Sequence, residues 1–163
     1  MRLIGLAGWS GAGKTTLLRK LIPVLVGQGL RVSTCKHAHH AFDVDVPGKD
    51  SYEHRAAGAS EVLVASSTRW ALVHEHRGAA EPNLRALLTK LEPVDLVIVE
   101  GWKREPHPKI EVYRAANQQS PLHPTDRSIV AVASDAPFFG IPTIDLDDVA
   151  AVARCVLAYA VPA

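Results

Sequence analysis

The chain has 163 residues, with 18 Lys and Arg against 17 Asp and Glu, and a formal net charge of +1 at pH 7. Apolar residues make up 47% of the sequence and charged residues 21%, which is typical of a globular protein and not of a disordered one. The near balance of charge argues against nucleic acid or an anionic membrane as a partner, since neither would meet a strong positive field.

The sequence lacks the features that would direct a chain to a membrane or out of the cell. Its first apolar stretch is too short for the core of a signal peptide, and no apolar run reaches the roughly 18 residues of a membrane span. Two cysteines far apart, Cys35 and Cys155, do not indicate a disulfide framework. We therefore expect a single domain over residues 1–163 in the reducing cytoplasm.

Apolar runs of strand length alternate along the chain with helical patterns. This order predicts an α/β fold with a mainly parallel central sheet. The predicted strands are 2–7, 31–36, 61–65, 70–74, 95–99, 109–113 and 129–133. The predicted helices begin at Lys14 and near Asp50, and cover 81–91 and about 147–159.

Residues 8–15 read Gly-Trp-Ser-Gly-Ala-Gly-Lys-Thr and match the phosphate-loop pattern of Gly, any four residues, Gly, Lys, and Ser or Thr. The segment lies between a predicted strand and a predicted helix, which is the context in which the pattern binds phosphate. The fold class expected is therefore the three-layer P-loop NTPase fold. The candidate cofactor-binding residues of the loop are Gly11, Ala12, Gly13, Lys14, Thr15 and Thr16.

The loop residues have distinct expected roles with a purine nucleoside triphosphate and Mg²⁺. Glycines turn backbone N–H groups towards the phosphates, and the helix N-terminus adds its positive dipole end. Lys14 reaches the β and γ phosphates, the hydroxyl of Thr15 ligates Mg²⁺, and Thr16 contacts the α phosphate.

A carboxylate at the carboxyl end of a neighbouring strand is expected to complete the Mg²⁺ site. Glu100 ends the apolar run Leu-Val-Ile-Val and precedes Gly101, which makes it the candidate Walker B acid and, with Lys14, a candidate catalytic residue. Asp45 is a further candidate metal ligand. The alternative for Glu100 is a solvated carboxylate at the start of a loop.

Residues 35–45 bring a thiol, three imidazoles and two carboxylates into one stretch. One interpretation is a transition-metal site made by Cys35, His37, His39 and His40, although structural zinc sites normally show two separated ligand pairs. A second is a substrate and phosphate site that uses Lys36, His37 and the carboxylates. The third is a polar surface loop without a specific role.

Two other segments leave alternatives open. The Asn-Lys-x-Asp signature of many GTP-binding proteins is absent, but Asp135 follows a predicted strand and could accept both N–H groups of the guanine edge, which mildly favours GTP over ATP. Trp102, with Lys103 and Arg104, forms either a contact surface or a packed rim.

Five ordered blocks of sequence resemble the MobB family of molybdopterin guanine dinucleotide biosynthesis. The resemblance extends from Met1 to about Asp148, and one departure is Trp9, where the wider class often carries an extra lysine. The blocks are Gly8 to Thr16, Lys36-His37 with His39-His40 and Phe42-Asp43-Val44-Asp45, Pro47 to Ser51 with Ala57-Gly58-Ala59, Val99 to Lys103, and Pro108 to Val112.

The resemblance implies a homodimeric, cytoplasmic GTP-binding protein with weak GTPase activity. It also implies an adaptor role for a MobA-type nucleotidyltransferase that joins GMP to molybdopterin, and contact with the enzyme that inserts molybdenum. Direct contact with molybdopterin stays open. Hydrolysis is expected to be slow, because the sequence shows no obvious arginine finger or water-orienting Gln.

Two functions from other classes remain as alternatives at this point. One is a small-molecule kinase that uses Lys14 and Mg²⁺ on a substrate held by residues 37–50. The other is a metallochaperone GTPase that carries an ion on the Cys35 and histidine segment.

Overall fold

The computed structural model describes residues 1–38, 42–103 and 105–163. Its helices are α1 (Lys14–Gly27), α2 (Asp50–Ala56), α3 (Leu84–Leu88) and α4 (Val149–Tyr159), with a 3-10 turn at Ala115–Asn117. Its strands are β1 (Arg2–Ala7), β2 (Val32–Lys36), β3 (Glu61–Ala65), β4 (Trp70–His74), β5 (Leu96–Glu100), β6 (Lys109–Tyr113), β7 (Ile129–Ser134), β8 (Thr143–Asp145) and β9 (Val161–Pro162).

The chain divides into two compact units. The first unit comprises residues 1–37 and 84–163, and the second comprises residues 38–83. A single domain over residues 1–163 stays a prediction. Among the helices of the described residues, none is long and apolar enough to cross a lipid bilayer.

The first unit is built on a seven-stranded sheet. Six strands lie in the order β2-β5-β1-β6-β7-β8, and each neighbouring pair is parallel. The short β9 pairs antiparallel with the start of β1. The predicted mainly parallel sheet is confirmed, and β1 lies in its middle.

Helices cover both faces of this sheet. On β5, Ile98 packs in one core cluster with the apolar face of α1 and α4, including Leu21 and Val152. Its neighbour Val97 packs in a second cluster with Leu84 of α3. Successive residues of a strand point to opposite faces, so the sheet is sandwiched between two helical layers. The predicted three-layer fold is confirmed.

The second unit contains α2 and an antiparallel hairpin of β3 and β4. The guanidinium of Arg55 on α2 donates hydrogen bonds to Glu75 (2.8 Å) and to Asp43 (2.6 Å), which ties the helix to residues on either side of it in sequence. The outward face of the hairpin carries Leu63 opposite Leu72 and remains exposed.

Most predicted elements are present, and the structure corrects several of their bounds. Helix α3 is shorter than the predicted 81–91: it begins after Pro82, which disfavours a helical conformation at Glu81, and it ends at Leu88, where i to i−3 turn hydrogen bonds from Lys90 and Leu91 follow. Strand β5 begins and ends one residue later than predicted, β2 begins one residue later, and β7 ends one residue later. The three-residue β8 and the two-residue β9 were not predicted, since they are too short to show a hydrophobic period.

His107 is a buried imidazole that packs against the centre of the sheet. A methyl group added to Gly5 of β1 would lie 2.5 Å from Nε2 of His107, so the ring needs a glycine beneath it. Burial lowers the pKa of His107 to about 4, the neighbouring Lys109 acts in the same direction, and Asp126 opposes the shift. The folded protein therefore holds this ring neutral.

We predict that His107 makes the protein less stable in mild acid. Between pH 6.5, the ordinary pKa of histidine, and about pH 4, His107 is protonated in the unfolded chain and neutral in the folded chain. The free energy of unfolding therefore falls as the pH is lowered through this range. From about pH 7.5 to about pH 5 this group should cost about 2 kcal/mol. Urea unfolding of the wild type and His107→Gln at both pH values measures it, and an equal pH dependence in the two proteins would contradict it.

Candidate nucleotide-binding site

The loop at residues 8–13 has a backbone that only glycine adopts readily at three positions. Gly8, Gly11 and Gly13 have φ angles of 144°, 79° and 94°, in the region that strains other residues. A methyl group on Gly8 would also lie 2.5 Å from the carbonyl oxygen of Val112. The glycines of the motif are therefore required by the geometry of the loop.

The start of α1 offers backbone amides to an anion. Gly13 is the N-cap and no side chain caps the helix, and its first turn has no acidic residue. The N–H of Leu17 donates to Gly13 O (2.8 Å), whereas the first amides of a helix have no partner inside it. These amides and the helix dipole suit a phosphate group, so the residues present fit the predicted nucleotide.

Lys14 is held over the loop that precedes it. Its Nζ donates hydrogen bonds to the carbonyl oxygens of Gly8 (2.8 Å) and Trp9 (3.0 Å). Burial lowers the pKa of Lys14, Glu100 opposes the shift, and Lys103 and Lys36 act in the same direction as burial. The site thus gathers three ammonium groups and one carboxylate around the phosphate loop.

Glu100 lies between the strands that its predicted role requires. It pairs with Leu6 of β1, two residues before the loop begins, and with Lys36 of β2. The N–H of His37 donates to its carbonyl oxygen (2.8 Å). A methyl group on Gly101 (φ 90°) would lie 2.7 Å from His37 O. The structure therefore brings together Lys14, Lys36, His37 and Glu100, as the sequence predicts.

The predicted Mg²⁺ ligands that belong to this unit are Thr15, at the exposed start of α1, and Glu100, at the end of β5. Asp45 belongs to the second unit, where its Oδ1 accepts from the hydroxyl of Ser51 (2.8 Å) and its Oδ2 lies 3.9 Å from Nε of Arg55. Its role as a magnesium ligand stays a prediction.

Trp102 is a packed residue and not an exposed contact surface. It is partly buried against the core cluster that contains Val97, and its ring centroid lies 4.9 Å from that of His37.

The predicted transition-metal site includes Cys35. Burial raises the pKa of the Cys35 thiol, which disfavours the thiolate that binds metal ions. Within the described residues no group of three His, Cys, Asp or Glu side chains could hold a metal.

His39 and His40 of the predicted transition-metal site, and Arg104 beside Trp102, lie outside the described residues. Lys103 is described, and its Nζ lies 5.4 Å from the ring centroid of Trp9. An ammonium group at this distance from an indole face is attracted by its π electrons. The wider class often has a lysine at position 9, and here Trp9 instead keeps the ammonium group of Lys103 beside the loop.

Asp135 follows β7 at the same edge of the sheet as the phosphate loop. Its Oδ1 accepts a hydrogen bond from the N–H of Ala115 (2.8 Å), and its Oδ2 lies 3.9 Å from the guanidinium of Arg114. The carboxylate is exposed and held in place by the segment after β6. Guanine recognition by Asp135 stays a prediction.

The segment after β6, residues 114–123, is attached to the phosphate loop at two points. Nδ2 of Asn117 donates to Ser10 O (3.0 Å), and Nε1 of Trp9 donates to Ser120 O (2.8 Å). A methyl group on Gly11 would lie 3.1 Å from Oδ1 of Asn117. The segment therefore packs directly on the glycines of the loop.

A buried carboxylate fixes the far end of this segment. Glu111 of β6 is completely buried, and its oxygens accept from the N–H groups of Leu122 (2.7 Å) and His123 (2.9 Å). Its Oε2 also lies 3.0 Å from Nδ1 of His123. A buried carboxylate without such partners would be costly, so these bonds hold residues 122–123 against the strand.

Sequence reasoning missed Arg114, Asn117 and Glu111. The signal that could have found Arg114 is its place immediately after a parallel strand, since ligands of open α/β sheets bind at the carboxyl ends of the strands. Nothing in the sequence indicates that β6 neighbours β1, and this neighbour relation is what brings the three residues to the phosphate loop.

The sequence profile of the family described as "MobB: Molybdopterin guanine dinucleotide synthesis protein B" matches residues 3–135. The chain belongs to the MobB family. The Molybdopterin-guanine dinucleotide biosynthesis adapter protein of Escherichia coli (strain K12) is 44% identical over 161 residues, which cover 96% of this chain and 92% of the relative.

Further members agree in sequence and in structure. The adapter protein of Haemophilus influenzae (strain ATCC 51907 / DSM 11121 / KW20 / Rd) is 44% identical over 135 residues, 83% of this chain and 75% of its own length. A crystal structure of molybdopterin-guanine biosynthesis protein B superposes with a TM-score of 0.77 at 26% identity, over 96% of this chain and 98% of that one. The P-loop fold and the family are thus supported independently.

Proposed function

We propose that this protein binds GTP and Mg²⁺ at residues 8–16 and serves as an adaptor in the attachment of GMP to molybdopterin. The observation that carries the proposal is the start of α1, where helical amides without a side-chain cap follow a loop with three glycines of positive φ, and where Lys14 lies over that loop. The names of the 44% identical relatives supply the pathway.

The partners we propose are a MobA-type nucleotidyltransferase and the enzyme that inserts molybdenum, both met in the cytoplasm. The nucleotidyltransferase brings a guanine nucleotide next to a pterin, and an adaptor with a nucleotide site suits that reaction. Family membership favours this role over the kinase and the metallochaperone.

The residues of the site are assigned different roles in nucleotide binding. Lys14 neutralises the β and γ phosphates, and the hydroxyl of Thr15 and the carboxylate of Glu100 hold Mg²⁺, which withdraws charge from the phosphates. Thr16 contacts the α phosphate, and Lys36 with His37 borders the γ side beside Glu100. Hydrolysis at this site is slow, and either this slow hydrolysis or nucleotide occupancy alone switches the affinity for the partner.

We predict that Lys14→Ala removes binding of GTP and, with it, GTP-dependent association with the nucleotidyltransferase. Among the described residues, Lys14 is the only charged side chain that donates hydrogen bonds to the loop carbonyl oxygens. Loss of its charged hydrogen bonds to the phosphates should weaken GTP binding by at least about 100-fold. Isothermal calorimetry measures GTP affinity, and a pull-down with and without GTP measures association.

The matched control for that experiment is Lys20→Ala, which removes an exposed lysine of the same helix that pairs with Asp147 (3.4 Å). It should bind GTP as the wild type does. Unchanged GTP affinity in Lys14→Ala would refute the nucleotide site. GTP binding without association in any nucleotide state would refute the adaptor role alone.

We also propose that Asp135 accepts the two N–H groups of guanine, which adenine cannot offer. The prediction is that Asp135→Asn lowers GTP affinity by about tenfold or more and raises affinity for xanthosine triphosphate, whose base presents a carbonyl to the new amide. An amide oxygen can still accept from Ala115 N–H, so the local fold is kept. Competition binding with GTP, ATP and xanthosine triphosphate measures this, and ATP binding as tight as GTP in the wild type would remove Asp135 from the role.

The homodimer is proposed to form through the outward face of the β3–β4 hairpin. Leu63, Trp70 and Leu72 share that face and are 63%, 58% and 45% exposed. A two-stranded sheet is marginally stable in water, and a two-fold dimer places the same patch on both subunits. A second copy of the chain is therefore the occupant that we assign to this apolar face.

We predict that Leu72→Lys converts the dimer to a monomer while the chain stays folded, because the new charge would have to be buried at the interface. Light scattering with size-exclusion chromatography at several protein concentrations measures the mass. Val26→Lys is the control, since Val26 on α1 is also exposed (52%) but lies in the first unit. A wild type that is monomeric, or a dimer unaffected by Leu72→Lys, would contradict this interface.

A further inference from the structure

We propose that Arg114 binds the phosphate chain of the nucleotide directly, from the side of the loop opposite Glu100. This inference rests on the proposed nucleotide site and adds to it a cation that the phosphate-loop motif does not contain.

The guanidinium of Arg114 lies against the last glycine of the phosphate loop. A methyl group on Gly13 would lie 3.2 Å from Nε and 4.0 Å from Nη2 of Arg114. Gly13 is the N-cap of α1, so these nitrogens lie beside the helical amides that face an anion. Glycine at position 13 thus allows both the left-handed backbone conformation and the close approach of Arg114.

The donors of Arg114 are available to a ligand. Within the described part of the chain its guanidinium makes only a long ion pair, 3.9 Å from Nη1 to Oδ2 of Asp135, and about a third of each side chain is exposed. That distance is beyond hydrogen-bond range, so Asp135 orients the arginine without using its N–H groups. A planar fork of donors matches two phosphate oxygens.

The order of the strands decides which phosphates Arg114 meets. Arg114 follows β6 and Glu100 ends β5, and these two strands flank β1 on opposite sides. With Mg²⁺ and the γ phosphate on the Glu100 side and the base on the Asp135 side, a nucleotide crosses the loop between them. Arg114 therefore contacts the α or β phosphate and not the γ phosphate, and it is no substitute for an arginine finger.

The test uses calorimetry with GTP, GDP and inorganic tripolyphosphate, each with Mg²⁺, on the full chain. Arg114→Ala should weaken GTP and GDP by the same factor, roughly 10- to 100-fold, and should weaken tripolyphosphate as well. Arg114→Lys keeps the charge without the fork and should fall between Arg114→Ala and the wild type. Arg19→Ala, an exposed arginine of α1, should bind as the wild type.

The outcomes separate this inference from the proposed function. If Lys14→Ala loses binding but Arg114→Ala binds all three ligands like the wild type, the inference is overturned and the nucleotide site stands. If Lys14→Ala binds normally, both fall. A loss confined to GTP, or a loss with GTP and GDP but not tripolyphosphate, also overturns it, because the contact would then be to the γ phosphate or the nucleoside.

A purely structural role is distinguished by thermal melting without nucleotide. The melting temperature of Arg114→Lys should equal that of the wild type while its nucleotide affinity is lower. A variant whose affinity falls only in proportion to a lowered melting temperature would show that Arg114 merely braces Gly13, and that result overturns the inference.

Discussion

The parallel pairing of β1 with β5 on one side and β6 on the other is the constraint on which the site depends. Its register sets Leu6 opposite Glu100 and Ala7 opposite Glu111, and the phosphate loop begins at the next residue. Because parallel strands end at one edge of a sheet, these two acidic residues flank the loop. A shift of one residue would turn their side chains to the other face of the sheet.

The elements that could be predicted from sequence are those with a strong local signal. Strands β1, β3, β4 and β6 were predicted with the bounds that the structure has, because each is a short apolar or alternating run bounded by turn residues. Strand β8 has no such signal, since its pairing with β7 depends on tertiary contacts such as Val132 N–H to Pro142 O (2.9 Å). Propensity alone does not specify such an edge strand.

The same division applies to the site. The motif predicts Lys14, and the place of Glu100 at a strand end predicts Glu100. Both predictions use only residues that are neighbours in sequence. Arg114 and Asn117 reach the loop because β6 lies beside β1 and because the buried Glu111 holds residues 122–123. That arrangement is a property of the sheet order, so a single sequence without its topology does not reveal it.

Net charge alone would give little reason to expect a polyphosphate ligand, because the whole chain carries only +1. The fold creates the field locally: the charges of Lys36 and Lys103 act on Lys14 from one side of the loop, and Arg114 lies against Gly13 on the other. Coulomb interactions decay within about 10 Å in salt, so a ligand at the loop responds to these four cations, to Glu100 and to Asp135 beside Arg114, and not to the distant acidic residues. Affinity for an anion is therefore decided by which side chains the strand order brings to one edge, and a protein of nearly zero net charge can still bind a triphosphate.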